Sequence, residues 1–174
     1  MKVIVLLGYM GSGKSVVGQL LSQLLGVSHI DLDYEIERQE KKSISQIFEE
    51  KGAIYFRKKE YEVLKELLLT EDLFVLSLGG GTPCYYPIMD QELRHPDIFT
   101  IYLDTSIPTL THRLFEEKNH RPLISSVATK EELAEFIGKH LFERRHHYRK
   151  AKQTIRTDEL TPEQIASQIQ QLLF

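Results

Sequence analysis

Five consecutive apolar residues, Val3-Ile4-Val5-Leu6-Leu7, run into a glycine without alternation, the pattern of a parallel strand buried on both faces. Helical periodicity follows over about residues 14–25, and a short strand at about 29–32 ends among acids. Helical patterns then occupy about 33–38, 43–49 and 55–69. Phe74-Val75-Leu76-Ser77-Leu78 reads as a third strand and 98–103 as a fourth, leading into a helix at about 107–115. The polar, basic stretch 116–130 holds Pro122 and little apolar pattern, so it is expected to be mobile. A long helix at about 131–151 and a short strand near 154–156 precede a closing helix. Thr161 supplies the N-cap of that last helix, Pro162 its first position and Gln164 the third position of a capping box. Strand and helix alternate throughout, which predicts an α/β domain with a parallel sheet covered on both faces.

Two helices carry charge where the pattern calls for apolar side chains. In 55–69, Phe56, Val63, Leu64 and Leu67 mark one arc, and both Arg57 and Glu60 fall inside it. An unpaired buried charge is costly, so the pair is expected to be engaged. At i,i+3 spacing Glu60 can hold Arg57, whose fork then suits a ligand carboxylate; a purely structural ion pair is the alternative. In the long helix, Leu133, Phe136, Ile137, His140 and Leu141 define the inward stripe. Arg144 falls near its centre with Tyr148 on the same face, whereas Arg145 lies about 100° away and is expected to be solvated.

Gly8-Tyr9-Met10-Gly11-Ser12-Gly13-Lys14-Ser15 matches G-x-x-x-x-G-K-[ST] directly after a buried strand and at the start of a helix. Glycines let backbone N–H groups turn toward phosphates, and the helix N-terminus adds favourable partial charge. Lys14 is placed to reach the β- and γ-phosphates and Ser15 to hold Mg²⁺. Nucleotide kinases, metabolite kinases, ATPases and GTPases share this loop, so the acceptor has to be read elsewhere. Asp31-Leu32-Asp33 ends the second strand, where open α/β sheets bind ligands, and alternation would point both carboxylates the same way if the strand persists; two solvated acids capping a helix are the alternative. Gly79-Gly80-Gly81 after the third strand allows backbone to approach a ligand closely. Arg121, in the basic stretch, suits an arginine finger supplied in cis. His112, His120, His146 and His147 show no metal-ligand spacing and read as surface or lid residues.

Composition narrows the partners rather than the fold. A chain of 174 residues fits one domain with a proper core. Its formal net charge of −3 offers no general basic surface for nucleic acid or anionic membrane. The single cysteine, Cys84, excludes an internal disulfide and reads as a packing residue suited to a reducing compartment. No apolar run is long enough to span a bilayer, and the first strand leaves no room for a signal peptide, so a cytoplasmic monomer is expected.

In order and spacing, residues 8–15, Asp31-Leu32-Asp33, Phe56-Arg57-Lys58-Lys59-Glu60, Leu78-Gly79-Gly80-Gly81, Arg121-Pro122-Leu123 and 144–148 closely resemble the shikimate kinase family. The resemblance implies a phosphate-loop kinase fold akin to nucleotide monophosphate kinases, with a five-stranded parallel sheet in the order 2-3-1-4-5. Helices at about 33–69 would bind substrate, and a lid would span about 112–130. It implies ATP and Mg²⁺, with transfer to the 3-hydroxyl of shikimate. Asp33 would contact the reacting hydroxyl, Arg57 and Arg144 the carboxylate, and Gly79, Gly80 and Gly81 the substrate. Lys14 and Arg121 would stabilise the transferring group, with Ser15 and Asp31 at the metal. Gly11, Ser12, Gly13, Val16 and Arg113 would line the nucleotide side, Arg113 stacking on adenine. Val16 stands where the family often has a second hydroxyl, and 144–148 is more basic than the common Arg-Ala-Pro-Leu-Tyr form. Rival readings are a gluconate or nucleotide kinase, and a catalytically silent ATP-binding sensor.

Overall fold

In the computed structural model, which describes residues 1–70, 72–118 and 122–173, the strands form one sheet of five. β1 (Val3–Leu7) is central, flanked by β3 (Phe74–Ser77) and β4 (Ile98–Asp104), with β2 (Ser28–Asp31) and β5 (Gln153–Arg156) outermost. Every pairing is parallel and the order is β2-β3-β1-β4-β5. All five β1 residues are buried because side chains alternate into two cores. Val3, Val5 and Leu7 face one cluster with α2 (Leu32–Glu40), α3 (Ile44–Leu68), α4 (Ile107–Glu117) and α5 (Lys130–Tyr148). Ile4 and Leu6 face the other, closed by α1 (Lys14–Leu25) and α6 (Pro162–Leu173).

Three local features differ from the sequence expectation or refine it. β2 stops at Asp31, and Leu32 already belongs to α2, because the Asp31 carboxylate caps that helix through the N–H groups of Asp33 and Tyr34. The two patterns at 43–49 and 55–69 are arms of α3 that meet at Gly52, whose φ of 80° breaks the helix. The stretch expected to be mobile is anchored where it is described. Ile124 is fully buried, Val127 packs on the core, and Lys118 Nζ donates to the Val127 carbonyl at 3.0 Å. At the last helix the expected box forms: the Gln164 N–H donates to Thr161 Oγ1 and the Thr161 N–H to Gln164 Oε1.

Parallel pairing puts the carboxyl ends of β1, β2 and β3 side by side. The phosphate loop, Asp31 and the triple glycine therefore open onto one edge of the sheet. No helix among the described residues is long and apolar enough to cross a membrane.

Candidate active site

Each α-helix but the first is capped by a side chain: Asp31, Ser43, Ser106, Thr129 and Thr161. α1 follows Gly13 with no side-chain cap, and its first turn lines the cleft. The Lys14 ammonium, almost fully buried, donates to the Gly8 carbonyl at 2.9 Å, the Tyr9 carbonyl at 2.8 Å and Ser12 Oγ at 3.4 Å. Those acceptors hold a positive charge at the mouth of the loop. Ser77 Oγ donates to the Lys14 carbonyl at 3.1 Å, which ties the start of α1 to the end of β3.

Ser15 Oγ donates to Asp31 Oδ2 at 2.6 Å, while Asp31 Oδ1 takes the α2 cap. Asp33 therefore enters the site from the first turn of α2, not by strand alternation, and it lies between both ends of the cleft. Burial raises its carboxyl to about 6, with the nearby Asp31 and Glu60 charges adding to the rise and Lys14 and Arg57 opposing it. Such a carboxyl is a base at neutral pH yet holds a proton readily, which suits a group that orients and then deprotonates a hydroxyl.

Arg57 and Glu60 are inward, as their place in the apolar arc of α3 predicts. Glu60, 1% exposed, accepts from Arg57 Nη1 at 2.7 Å on one oxygen and from Thr82 Oγ1 at 2.6 Å on the other. A carboxylate so engaged fixes both the arginine and the turn after β3. Glycine is required in that turn by close approach. A Cβ on Gly79 would stand 2.8 Å from Asp33 Oδ1, and one on Gly81 would stand 2.6 Å from Arg57 Nη2. The acid and the guanidinium are thus both laid against the triple glycine.

Arg144 also faces inward from α5, its guanidinium 5.8 Å from the centre of the Tyr9 ring. Burial pushes the Cys84 thiol up to about 11 against the pull of both Arg144 and Arg57. Tyr148, buried on the Arg144 face, donates to the Gly80 carbonyl at 2.5 Å. Arg145, expected to be solvated, keeps 36% of its side chain exposed but also finds a partner. α5 runs past the end of β4, so the face 100° from the stripe meets Asp104 (Nη2 to Oδ1, 3.5 Å) with Nε buried. His112 and His146 lie on the surface, as expected, while His147 is half-buried. Arg113 Nη1 donates to the Gly11 carbonyl at 3.1 Å and so crosses the phosphate loop. Arg121 and His120 lie outside the described residues.

Arg57 and Tyr85 border a hollow of about 390 Å³ with Phe48, Ala53 and Ile54. Asp33, Gly79 and Gly80 line a cleft of about 470 Å³ that runs past residues 10–17 to Arg113, with Val16 half exposed at its rim. Its far end is walled by Leu160, Pro162 and Ile165, with Glu117 beside Arg113. Sequence reasoning missed these four. Pro162 carried a visible signal, but one that reads as a helix start. Tyr9 and His140 were missed as a linked pair: Tyr9 Oη lies 3.0 Å from His140 Nδ1, bonding the phosphate loop to α5. A hollow of about 420 Å³ at the other end of the strands, around Lys2, Lys65 and Ile98, contains none of this chemistry. Among the described residues no group of three His, Cys, Asp or Glu side chains could hold a metal ion. Ser15 and Asp31 instead offer two adjoining oxygens, which fit a hard cation that takes its other ligands from phosphate and water.

A family model described as Shikimate kinase matches residues 10–174. Over the full length of both chains the sequence is 47% identical to a shikimate kinase of Flavobacterium psychrophilum. Identity is 44% to one of Flavobacterium johnsoniae, over 99% of each chain. The crystal structure of shikimate kinase from Bacteroides thetaiotaomicron superposes with a TM-score of 0.89 at 33% identity, covering 99% of this chain and 98% of that one. Shikimate kinase from Acinetobacter baumannii in complex with shikimate gives 0.86 at 35% identity, covering 99% and 93%.

Proposed function

The chain belongs to the shikimate kinase family, and on that premise we propose how its own residues carry the reaction of that family. The chain transfers the γ-phosphoryl group of ATP to the 3-hydroxyl of shikimate, giving shikimate 3-phosphate and ADP, a step of aromatic amino-acid biosynthesis. One observation carries the residue assignment. Asp33 and Arg57 are both laid against residues 79–81, in reach of the cleft that Lys14 and Ser15 line.

The N–H groups of the first turn of α1 and the Lys14 ammonium take the β- and γ-phosphates, while Arg113 and the wall of Leu160 and Pro162 take the adenine. Arg57 and Arg144 bind the shikimate carboxylate, and the turn at 79–81 supplies backbone contacts. Held at that distance from the loop, the 3-hydroxyl is directed by Asp33 at the γ-phosphorus. A bond forms between that oxygen and phosphorus as the bond to the β–γ bridging oxygen breaks. In a loose transition state the hydroxyl proton leaves late, to Asp33. Ser15 would hold Mg²⁺ directly and Asp31 through water. Bound there, the ion would neutralise charge on the β- and γ-oxygens. Arg121, by its place in the motif, would stabilise the same charge.

An ADP-release assay run side by side with shikimate, gluconate and nucleoside monophosphates tests the reading. Turnover above the ATP-only rate with shikimate alone is the expected result. Faster release with gluconate or a nucleotide would replace the acceptor, and none with any of them would leave a silent nucleotide binder.

A further inference from the structure

Two consecutive tyrosines, Tyr85 and Tyr86, follow the glycine turn and border the hollow beside Arg57. A short 3₁₀ turn, Thr82–Cys84, ends on Tyr85, whose N–H reaches the Thr82 carbonyl at 3.4 Å. Tyr86 follows at a φ of 52°, a region uncommon for a bulky side chain. It is held there by lying flat on Tyr61 of α3, the ring centres 4.7 Å apart and the planes 12° apart. Tyr61 is pinned in turn, its hydroxyl donating to Glu92 at 2.6 Å. The segment is thereby fastened to α3, and Tyr85 is left over Arg57, its ring centre 4.2 Å from the guanidinium carbon.

Tyr85 is not a core residue, since 43% of it is exposed. What it covers is nevertheless mostly shielded: the Arg57 side chain is 17% exposed. The guanidinium has Glu60 on Nη1, the Gly81 backbone against Nη2, and the Tyr85 ring alongside. A ring face attracts a cation, more strongly as water is excluded, and restricts the planar fork to orientations parallel or tilted to itself.

We propose that Tyr85 is a positioning residue for acceptor binding. Its ring holds the Arg57 guanidinium over Gly81 and shields it from water, so that the fork is set for the substrate carboxylate before substrate arrives. The inference rests on the reading of Arg57 as a carboxylate ligand. Loss of the ring costs substrate affinity without touching the phosphate loop, and the Tyr85 hydroxyl contributes little.

Steady-state kinetics of the full chain, varying shikimate and ATP separately, test this with Tyr85→Phe, Tyr85→Leu and Tyr85→Ala. Tyr85→Phe is expected to stay within about twofold of the parent, whereas Leu and Ala raise KM for shikimate about five- to tenfold. In both, kcat stays within about twofold and KM for ATP does not move. On an Arg57→Lys background, Tyr85→Ala adds less than about a further twofold, because the planar fork it serves is gone. Equal melting temperatures across the three variants exclude misfolding. The proposal is overturned by an unchanged shikimate KM in Ala, by Leu matching Phe, by both KM values rising together, or by an undiminished effect beside Arg57→Lys. Failure of the parent chain to phosphorylate shikimate would instead remove the function reading itself.

Discussion

On the proposed function, the two ends of the site hold an anion with different materials. At the phosphate end the donors are the first turn of α1, which has no side-chain cap, and one ammonium held by carbonyls of its own loop. At the acceptor end the donors are two guanidiniums carried on separate helices, α3 and α5, and braced by other side chains. Backbone donors need only the local φ/ψ of a glycine loop, so that end is compact in sequence. Guanidiniums need partners brought from elsewhere: Glu60, Thr82, Tyr85, Tyr148. On that reading the phosphate end is general to many chemistries, while the acceptor end chooses one small acid over another.

The boundary between the ends is Asp33, and its removal is expected to have the largest effect. Asp33→Asn should lower kcat by about 10²- to 10⁴-fold while ATP still binds; near-normal turnover would take Asp33 out of the chemistry. Next in size, Arg57→Ala and Arg144→Ala should each raise KM for shikimate by about 30- to 100-fold with little change in KM for ATP. Arg145→Ala, whose partner is Asp104 rather than the cleft, should raise it by less than about threefold and lower the melting temperature instead. If Arg144 and Arg145 behaved alike, the division between the two ends would lose one of its supports.

pH separates the ends further. With Asp33 raised to about 6, kcat/KM for shikimate should fall about tenfold per unit below that value as the base is protonated, while nucleotide binding changes less. A smaller effect is expected from Tyr148→Phe, which deletes the bond to the Gly80 carbonyl and should cost about threefold to tenfold in shikimate KM. The smallest is a gain. A carboxyl raised above its usual 3.8 favours folding when neutral, and that contribution is lost as pH rises through about 6. Asp33→Asn, neutral throughout, should therefore be more stable than the parent at pH 7.5 by up to about 3 kcal/mol, and no more stable near pH 4. Thermal melting at both pH values reads this directly.

The same contrast explains what could be read from sequence. The phosphate loop was legible because its residues are contiguous and its function lies in backbone geometry. Arg57, Glu60 and Arg144 were legible because a charge on an apolar helical stripe is visible at a 3.6-residue period. Arg145 was read only in part by the same rule, since the period gives an angle around the helix but not what passes beside it, here the end of β4. Asp33 does line the cleft, but from α2 rather than from β2, because the side-chain cap at Asp31 that ends β2 competes with strand extension. Partners such as Thr82, Tyr85 and Pro162 stayed hidden, because their role depends on tertiary approach that no local pattern records.

Binding of shikimate and of its neutral methyl ester, measured by calorimetry on the unmodified chain with ADP present, tests the acceptor end most directly. Two braced guanidiniums facing one carboxylate predict that the ester binds at least about 100-fold more weakly, at unchanged ADP affinity. An ester that bound as well as the acid would contradict the carboxylate pocket and leave only the phosphate loop standing.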